Sequence, residues 1–332
     1  VYDPVVASAP GGTVRRLTSL TKDTAARVER RLAKRYSDVE LRQLKAMERA
    51  FSGARGPELL MFGESNMVWT VRDEEDRRHL AEMIRDELGG HIKLQGMVGP
   101  GYNPRIIMAM LSALPACKSQ PKVVIVPMSI LMATTHWLAH PVLGYEQTAA
   151  EMRELIAKGG ARPRRLQQPT DAAWDAYDHL PAPSLIGARR TVGELRLITS
   201  ATPTTRWQQA VRLRHLMDSY NAERLEPDSL GVKLVGEMAA MIRDQGHNSV
   251  AYVPPINLDV SDKTLGAASR EHIVRNAQIL ADSYAAAAGD SGTVVNCVDQ
   301  CPVGDFADPL HLTESGRRHV ASLIAEAIRP YL

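Results

Sequence analysis

Three residues in this chain have the types and setting for acyl chemistry. Ser65 stands in "LLMFGESNMVW", where an apolar run ends abruptly in Gly-Glu-Ser-Asn. Far downstream, "ADPLHLTESG" sets Asp308 and His311 three residues apart, with Pro309 restricting the backbone between them. A serine hydroxyl attacks a carbonyl only when a base removes its proton, and histidine is the usual base at neutral pH. The imidazole in turn needs an acceptor on its second nitrogen to fix tautomer and orientation. An Asp-x-x-His turn supplies base and acceptor together. Ser65 by itself reads as a helix N-cap, Asp308 as an acid at a helix start, and His311 as a packed loop histidine. Their joint occurrence shifts the balance to a catalytic set.

Such residues must be delivered by something rigid, and the hydrophobic pattern supplies it. "ELLMFG" is a short apolar run closed by glycine, the mark of a buried strand. "DEEDRRHLAEMIRDELGG" (Asp73–Gly90) predicts a helix with acids in its first turn and a Gly-Gly stop. "HIKLQGMVG" predicts a second strand, and "NPRIIMAMLSAL" (Asn103–Leu114) a helix opened by Asn-Pro. "KVVIVPMSI" (Lys122–Ile130), β-branched and apolar, predicts the third strand. The alternation resumes late, with a helix over Ser229–Gln245, strands at Ser249–Ile256 and Thr293–Val298, a helix over Arg270–Gly289 and a last helix from Thr313.

Strands alternating with helices imply a parallel sheet with right-handed crossovers. The expected architecture is therefore three-layer α/β/α with a five-stranded parallel sheet. Residues 57–332 form that domain, preceded by a mostly helical N-terminal extension (residues 1–56) in which Asp23–Phe51 shows helical periodicity. Between the third and fourth strands lie about a hundred residues, far beyond a normal connection of roughly 2–6. Residues from about 131 to 227 are expected to form a helical insertion over one end of the sheet, with helices near Glu146–Lys158 and Thr205–Leu225. Reactive groups of open parallel sheets gather at the carboxyl ends of the strands. Ser65, Gly99 and Ser129 leave the first, second and third strands there, and Asp308 and His311 follow the fifth.

The "GES" serine after the first strand and the C-terminal "DPLHLTESG" resemble the SGNH (GDSL-type) hydrolase superfamily. Its first block is usually Gly-Asp-Ser, with Glu64 here in the place of Asp, and its last is Asp-x-x-His. The resemblance runs from Leu59 to the C-terminus and implies a flavodoxin-like SGNH hydrolase fold. It also implies a Ser65–His311–Asp308 triad and an oxyanion hole begun by the Ser65 N–H. The next donor in that family is a glycine N–H after the second strand, for which Gly99 fits best and Gly101 next. The third is an asparagine side chain after the third strand, which this chain lacks. Ser129 stands near its place, and Asn257 in "PPINLD" or Asn66 offers an amide from elsewhere. The loss of that block, with "PPIN" after the fourth strand, is similar to the divergent branch containing the D-alanyl transfer proteins. That likeness keeps acyl transfer from a carrier beside hydrolysis.

Composition excludes several other classes. The 332 residues are 44% hydrophobic and 23% charged, with net charge +2, and like charges are not blocked into an arm that would seek nucleic acid or a membrane. Three cysteines are too few for a disulfide-built fold. Cys297 and Cys301 form a C-x-x-x-C without further ligands for zinc, and read with Cys117 as structural. His136 and His140, four apart in "THWLAH", have metal-ligand spacing, but Pro141 ends any helix there and a packing or pocket-entrance role is favoured. "RPRRL" (Arg162–Leu166) reads as a solvated face, or as a contact for an acidic acyl carrier protein.

The expected protein is thus a serine esterase needing neither metal nor organic cofactor, acting on a small-molecule ester. The alternatives are an acyltransferase and a catalytically impaired binding protein on the same fold. No run approaches the roughly 18–20 apolar residues of a membrane span, so a cytoplasmic location is expected. The start at Val1 leaves room for a removed upstream segment.

Overall fold

The runs Leu59–Gly63 and Val123–Pro127 become strands buried along their whole length, as central strands of a sheet covered by helices on two sides require. A computed structural model describes residues 39–64, 70, 74–99, 101–140, 143–158, 170, 172–173, 176 and 217–332. The strands are β1 (Leu59–Gly63), β2 (Leu94–Val98), β3 (Val123–Pro127), β4 (Asn248–Val253) and β5 (Gly292–Asn296). All pair in parallel, in the order β2-β1-β3-β4-β5. The helices are α1 (residues 39–50), α2 (Leu80–Glu87), α3 (Pro104–Leu111), α4 (Thr135–Leu138), α5 (Glu146–Lys158), α6 (Leu230–Asp244), α7 (Leu258–Leu265), α8 (Ala267–Ala288) and α9 (Glu314–Ile328).

Alternate strand residues feed two cores, following the period of two along a strand. Leu60, Phe62, Val124, Val126, Ala251 and Val253 face α1, α3, α6 and α8. Leu59, Met61, Val123, Ile125, Val250 and Tyr252 face α2 and α9. The architecture is thus the expected α/β/α, five strands all parallel. Residues 39–51 join the first core through Leu44, Met47 and Phe51, and the Phe51 carbonyl accepts from the Ser119 N–H at 3.1 Å. The strand order reverses direction at β1, so the sheet's switch point lies at the carboxyl ends of β1 and β3. Crevices of open α/β sheets open at such a point.

The helix expected over Asp73–Gly90 begins only at Leu80, capped by His79, whose N–H donates to Glu82 at 2.8 Å. The acids expected in its first turn are used elsewhere. Glu74 accepts from the N–H of Glu314, at the start of α9, at 2.7 Å and pairs with Arg317, while Asp76 pairs with Arg78 and Arg318. Tertiary ion pairs outweigh a local helix preference worth only tenths of a kcal/mol per residue.

A second difference is α7, which has no counterpart among the expected helices. Asn257 caps it, with Oδ1 accepting from the Val260 N–H at 3.2 Å. Gly266 then breaks the helix with φ of +89°, so α8 starts at Ala267, because only glycine takes that backbone region at little cost. The Asn103 cap of α3 is as expected, its side chain accepting from Arg105 at 3.1 Å. Within the expected insertion, α5 matches Glu146–Lys158 and residues 217–220 are helical. The lead-in, residues 23–38, the Arg162–Leu166 run and residues 205–216 lie outside the described residues. Among the described residues no helix is long and apolar enough to cross a membrane.

Candidate active site

The most ordered chemistry lies in the loop between β5 and α9. An antiparallel bridge between Phe306 and Leu312 pinches this loop at its base, and the Ala307 N–H donates to the His311 carbonyl at 2.8 Å. Within it Asp308 is held on three sides. Its Oδ1 accepts from the N–H groups of Leu310 and His311, both at 2.9 Å, and its Oδ2 lies 2.7 Å from His311 Nδ1. Burial works against the Asp308 charge, but the His311 hydrogen bond and charge, with the two backbone donors, outweigh it and hold the carboxyl below its ordinary value. A carboxylate so held keeps a proton on Nδ1, so acid–base chemistry at His311 falls to Nε2.

The loop is tied from both flanks. The Asn257 N–H donates to the Pro309 carbonyl at 3.0 Å, and Arg317, fully buried on α9, donates to the Leu312 carbonyl at 3.2 Å. Arg317 also reaches Glu74 and the Asp76 carbonyl, each at 2.8 Å. One guanidinium thereby links α9, the histidine loop and the segment entering α2. Its planar fork can serve three acceptors at once, which an ammonium on a flexible stem does less well.

The other expected site residues divide. Ser65 and Asn66 lie outside the described residues. Glu64, which precedes Ser65 at the exit of β1, is buried. Ser129, just beyond β3, is also buried. Gly99 does not offer a ready oxyanion donor, because its N–H donates to the Gly63 carbonyl at 3.2 Å and extends the β1–β2 ladder. Its lack of a side chain has a packing cause, since a Cβ there would lie 1.9 Å from the Tyr102 ring. Asn257 is chiefly a helix cap and a tie for the histidine loop, with its side-chain oxygen engaged by Val260.

Sequence reasoning missed Tyr220. It is buried, and burial first, then the charges of Glu64 and Asp308, raise its phenol. No local motif marks a lone tyrosine at the end of a long insertion. Only the folded chain brings it to the switch point.

Other candidates resolve as structural. α4 is a single turn ending at Leu138, so His140 falls beyond it and accepts from the Leu143 N–H at 3.1 Å. Burial, aided by His136, pushes His140 down to about 4, leaving it neutral. Cys297 and Cys301 are both free thiols pushed up to about 12 by burial first, and are therefore inert as nucleophiles. Among the described residues no group of three or more His, Cys, Asp or Glu side chains is placed to hold a metal ion.

Burial raises the Glu64 carboxyl from 4.5 to about 7, with the phenols of Tyr220 and Tyr252 as neighbours that feel its charge. The folded state therefore binds this proton more tightly than the unfolded state. The associated stability is fully present below about pH 4.5 and is lost as pH rises through 7, a change of roughly 3 kcal/mol. Glu64→Gln should abolish that fall, so that the variant gains on the wild type between pH 5 and pH 8. Urea midpoints of both proteins at the two pH values measure it, and equal pH slopes would refute a buried neutral Glu64.

Comparison with protein-family models finds no match for this chain. The search of curated proteins also finds none.

Proposed function

We propose that this protein is a serine-dependent acyl hydrolase of the SGNH type, with Ser65 as nucleophile. The observation that carries the proposal is the Asp308–His311 pair, oriented at 2.7 Å in a loop tied to α7 and α9. The charges of Asp308 and of Glu64, the residue before Ser65, both act on the Tyr220 phenol. In the reaction, Ser65 Oγ bonds to the ester carbonyl carbon as His311 Nε2 takes its proton. The tetrahedral adduct collapses, and His311 returns that proton to the departing alkoxide. Water, deprotonated by the same nitrogen, then attacks the acyl carbon, and the second adduct expels Ser65 Oγ, which takes that proton back from His311. Asp308 keeps the ring oriented and stabilises the imidazolium in both halves.

Acyl transfer to an alcohol or amine uses the same residues. One observation favours keeping it in view. The insertion between β3 and β4 is long, and an insertion that shields an acyl-enzyme from water favours another acceptor. A small ester is the expected substrate, and a carrier-bound acyl group the alternative donor.

A fluorophosphonate is the direct test. The wild type should form one adduct, located by mass spectrometry at Ser65, and Ser65→Ala and His311→Ala should each abolish it. No adduct at high reagent concentration, or an adduct at another residue, would overturn the assignment and favour a binding protein. Acyl-enzyme decay in buffer alone against buffer with added alcohols or amines separates hydrolysis from transfer.

A further inference from the structure

The Asp308–His311 pair sits at the tip of a short ribbon, and that ribbon rests on the first turn of α9. Three successive pairings close it. The Thr313 N–H donates to the Asp305 carbonyl at 2.9 Å, Phe306 bridges Leu312, and the Ala307 N–H donates to the His311 carbonyl at 2.8 Å. A two-stranded ribbon this small is not stable by itself in water, so its shape must come from what it packs against. The base pairing is where α9 acts. Ser315 Oγ donates to Asp305 Oδ1 at 2.6 Å. Gly316, the next residue, is buried. A Cβ built there would collide with the Asp305 carbonyl oxygen and lie 2.9 Å from Leu312 Cδ2 and 3.0 Å from Asp305 Cβ. Glycine weakens a helix relative to alanine, so its presence in this turn has a packing cause. Only a residue without a side chain lets α9 meet the carbonyl that closes the ribbon.

Resting on the hydrolase proposal above, we infer that Gly316 is a positioning residue for the Asp308–His311 pair. The seat is rigid on the α9 side. Arg317 beside it is fully buried, and Val320, Ala321 and Ile324 lock the following turns into the core shared with α2. A methyl group at 316 therefore displaces the Asp305 carbonyl rather than the helix, and the bond from the Thr313 N–H opens first. Two pairings further along, His311 Nδ1 and Asp308 Oδ2 must keep their 2.7 Å contact. A hydrogen bond weakens steeply once its geometry is lost, so a small shift at the base is enough to free the ring. The freed imidazole no longer keeps its proton on Nδ1, and Nε2 loses the fixed aim that proton transfer demands. Gly316 acts only through Asp305 and the ribbon.

Gly316→Ala adds that methyl group. With p-nitrophenyl acetate its kcat, corrected for the folded fraction, should fall roughly 10²-fold, with KM changed by less than about threefold. In protein labelled with ¹⁵N-histidine, the low-field Nδ1 proton of His311, assigned by its absence in His311→Gln, should disappear. The ring nitrogen shifts should move towards a mixture of tautomers. A merely structural glycine would lower the urea midpoint and leave both readings of the folded molecule alone. Wild-type kcat, or a wild-type His311 spectrum, in Gly316→Ala therefore overturns the inference. Gly304→Ala is the control, because a Cβ there meets nothing within 4 Å. It should keep both readings, and an equal loss would overturn the inference by tracing the effect to loop stiffness. Should Gly316→Ala fail to fold, Ser315→Ala serves. It removes the tie to Asp305 from an exposed position. It should lower kcat about threefold and broaden the same proton resonance, and wild-type values there would overturn the inference. A wild type that no fluorophosphonate labels at Ser65 defeats the hydrolase proposal alone. The His311 spectrum needs no turnover and still decides whether Gly316 holds the pair.

Discussion

Asp308→Asn should cut ester turnover about 10⁴-fold while the chain stays folded. The size of the effect follows from how Asp308 is held. Two backbone N–H groups fall on Oδ1, at 2.9 Å each, so an asparagine at 308 must place its carbonyl oxygen there and its NH₂ towards His311. An N–H donor facing Nδ1 forces the ring to carry its proton on Nε2. That nitrogen can then no longer accept the serine proton. Because the loop keeps both backbone hydrogen bonds, the urea midpoint should move little. Steady-state kcat for p-nitrophenyl acetate and a denaturation curve decide the matter together. A variant within tenfold of the wild type would show that the pair only braces the loop.

The second large effect is on stability. Arg317→Met should cost about 3–5 kcal/mol, because it leaves a partly buried Glu74 carboxylate without its guanidinium. The arginine side chain is fully excluded from solvent and Glu74 is 12% exposed, so water compensates only weakly. Glu74 still receives the Glu314 N–H at the start of α9, which limits the loss, and Glu74→Gln in the same chain should recover part of it. Chemical denaturation of the four proteins of this double-mutant cycle gives the coupling. A coupling near zero would make the clamp an ordinary surface pair. Losing the hydrogen bond to the Leu312 carbonyl at 3.2 Å should also loosen the histidine loop, so kcat should fall more than the change in folded fraction explains.

Strand positions were legible because buried parallel strands are continuous apolar runs. "LLMFG" and "VVIVP" could hardly be anything else, and their burial is complete. The Asp308–His311 pair was legible for a similar reason, since its two members lie within one turn and local backbone geometry brings them together. The helix expected from Asp73 was misplaced because Glu74 and Asp76 answer to α9 and Arg318, residues remote in sequence. Gly99 suited an oxyanion donor by its position after β2, yet the ladder to Gly63 takes its N–H.

The sequence by itself determined what depends on short-range pattern: the α/β class, the order of strands and helices, and an aspartate–histidine pair before the last helix. The tertiary structure decided which distant groups share one spot. Glu64 at the exit of β1 and Asp308 in the last loop both lie near enough for their charges to act on the buried Tyr220 phenol from the end of the insertion. Burial there makes Glu64 titrate near 7. Such convergence has no local code. It follows from strand order and from buried hydrogen bonds between segments far apart in the chain, and these exist only once the sheet has formed.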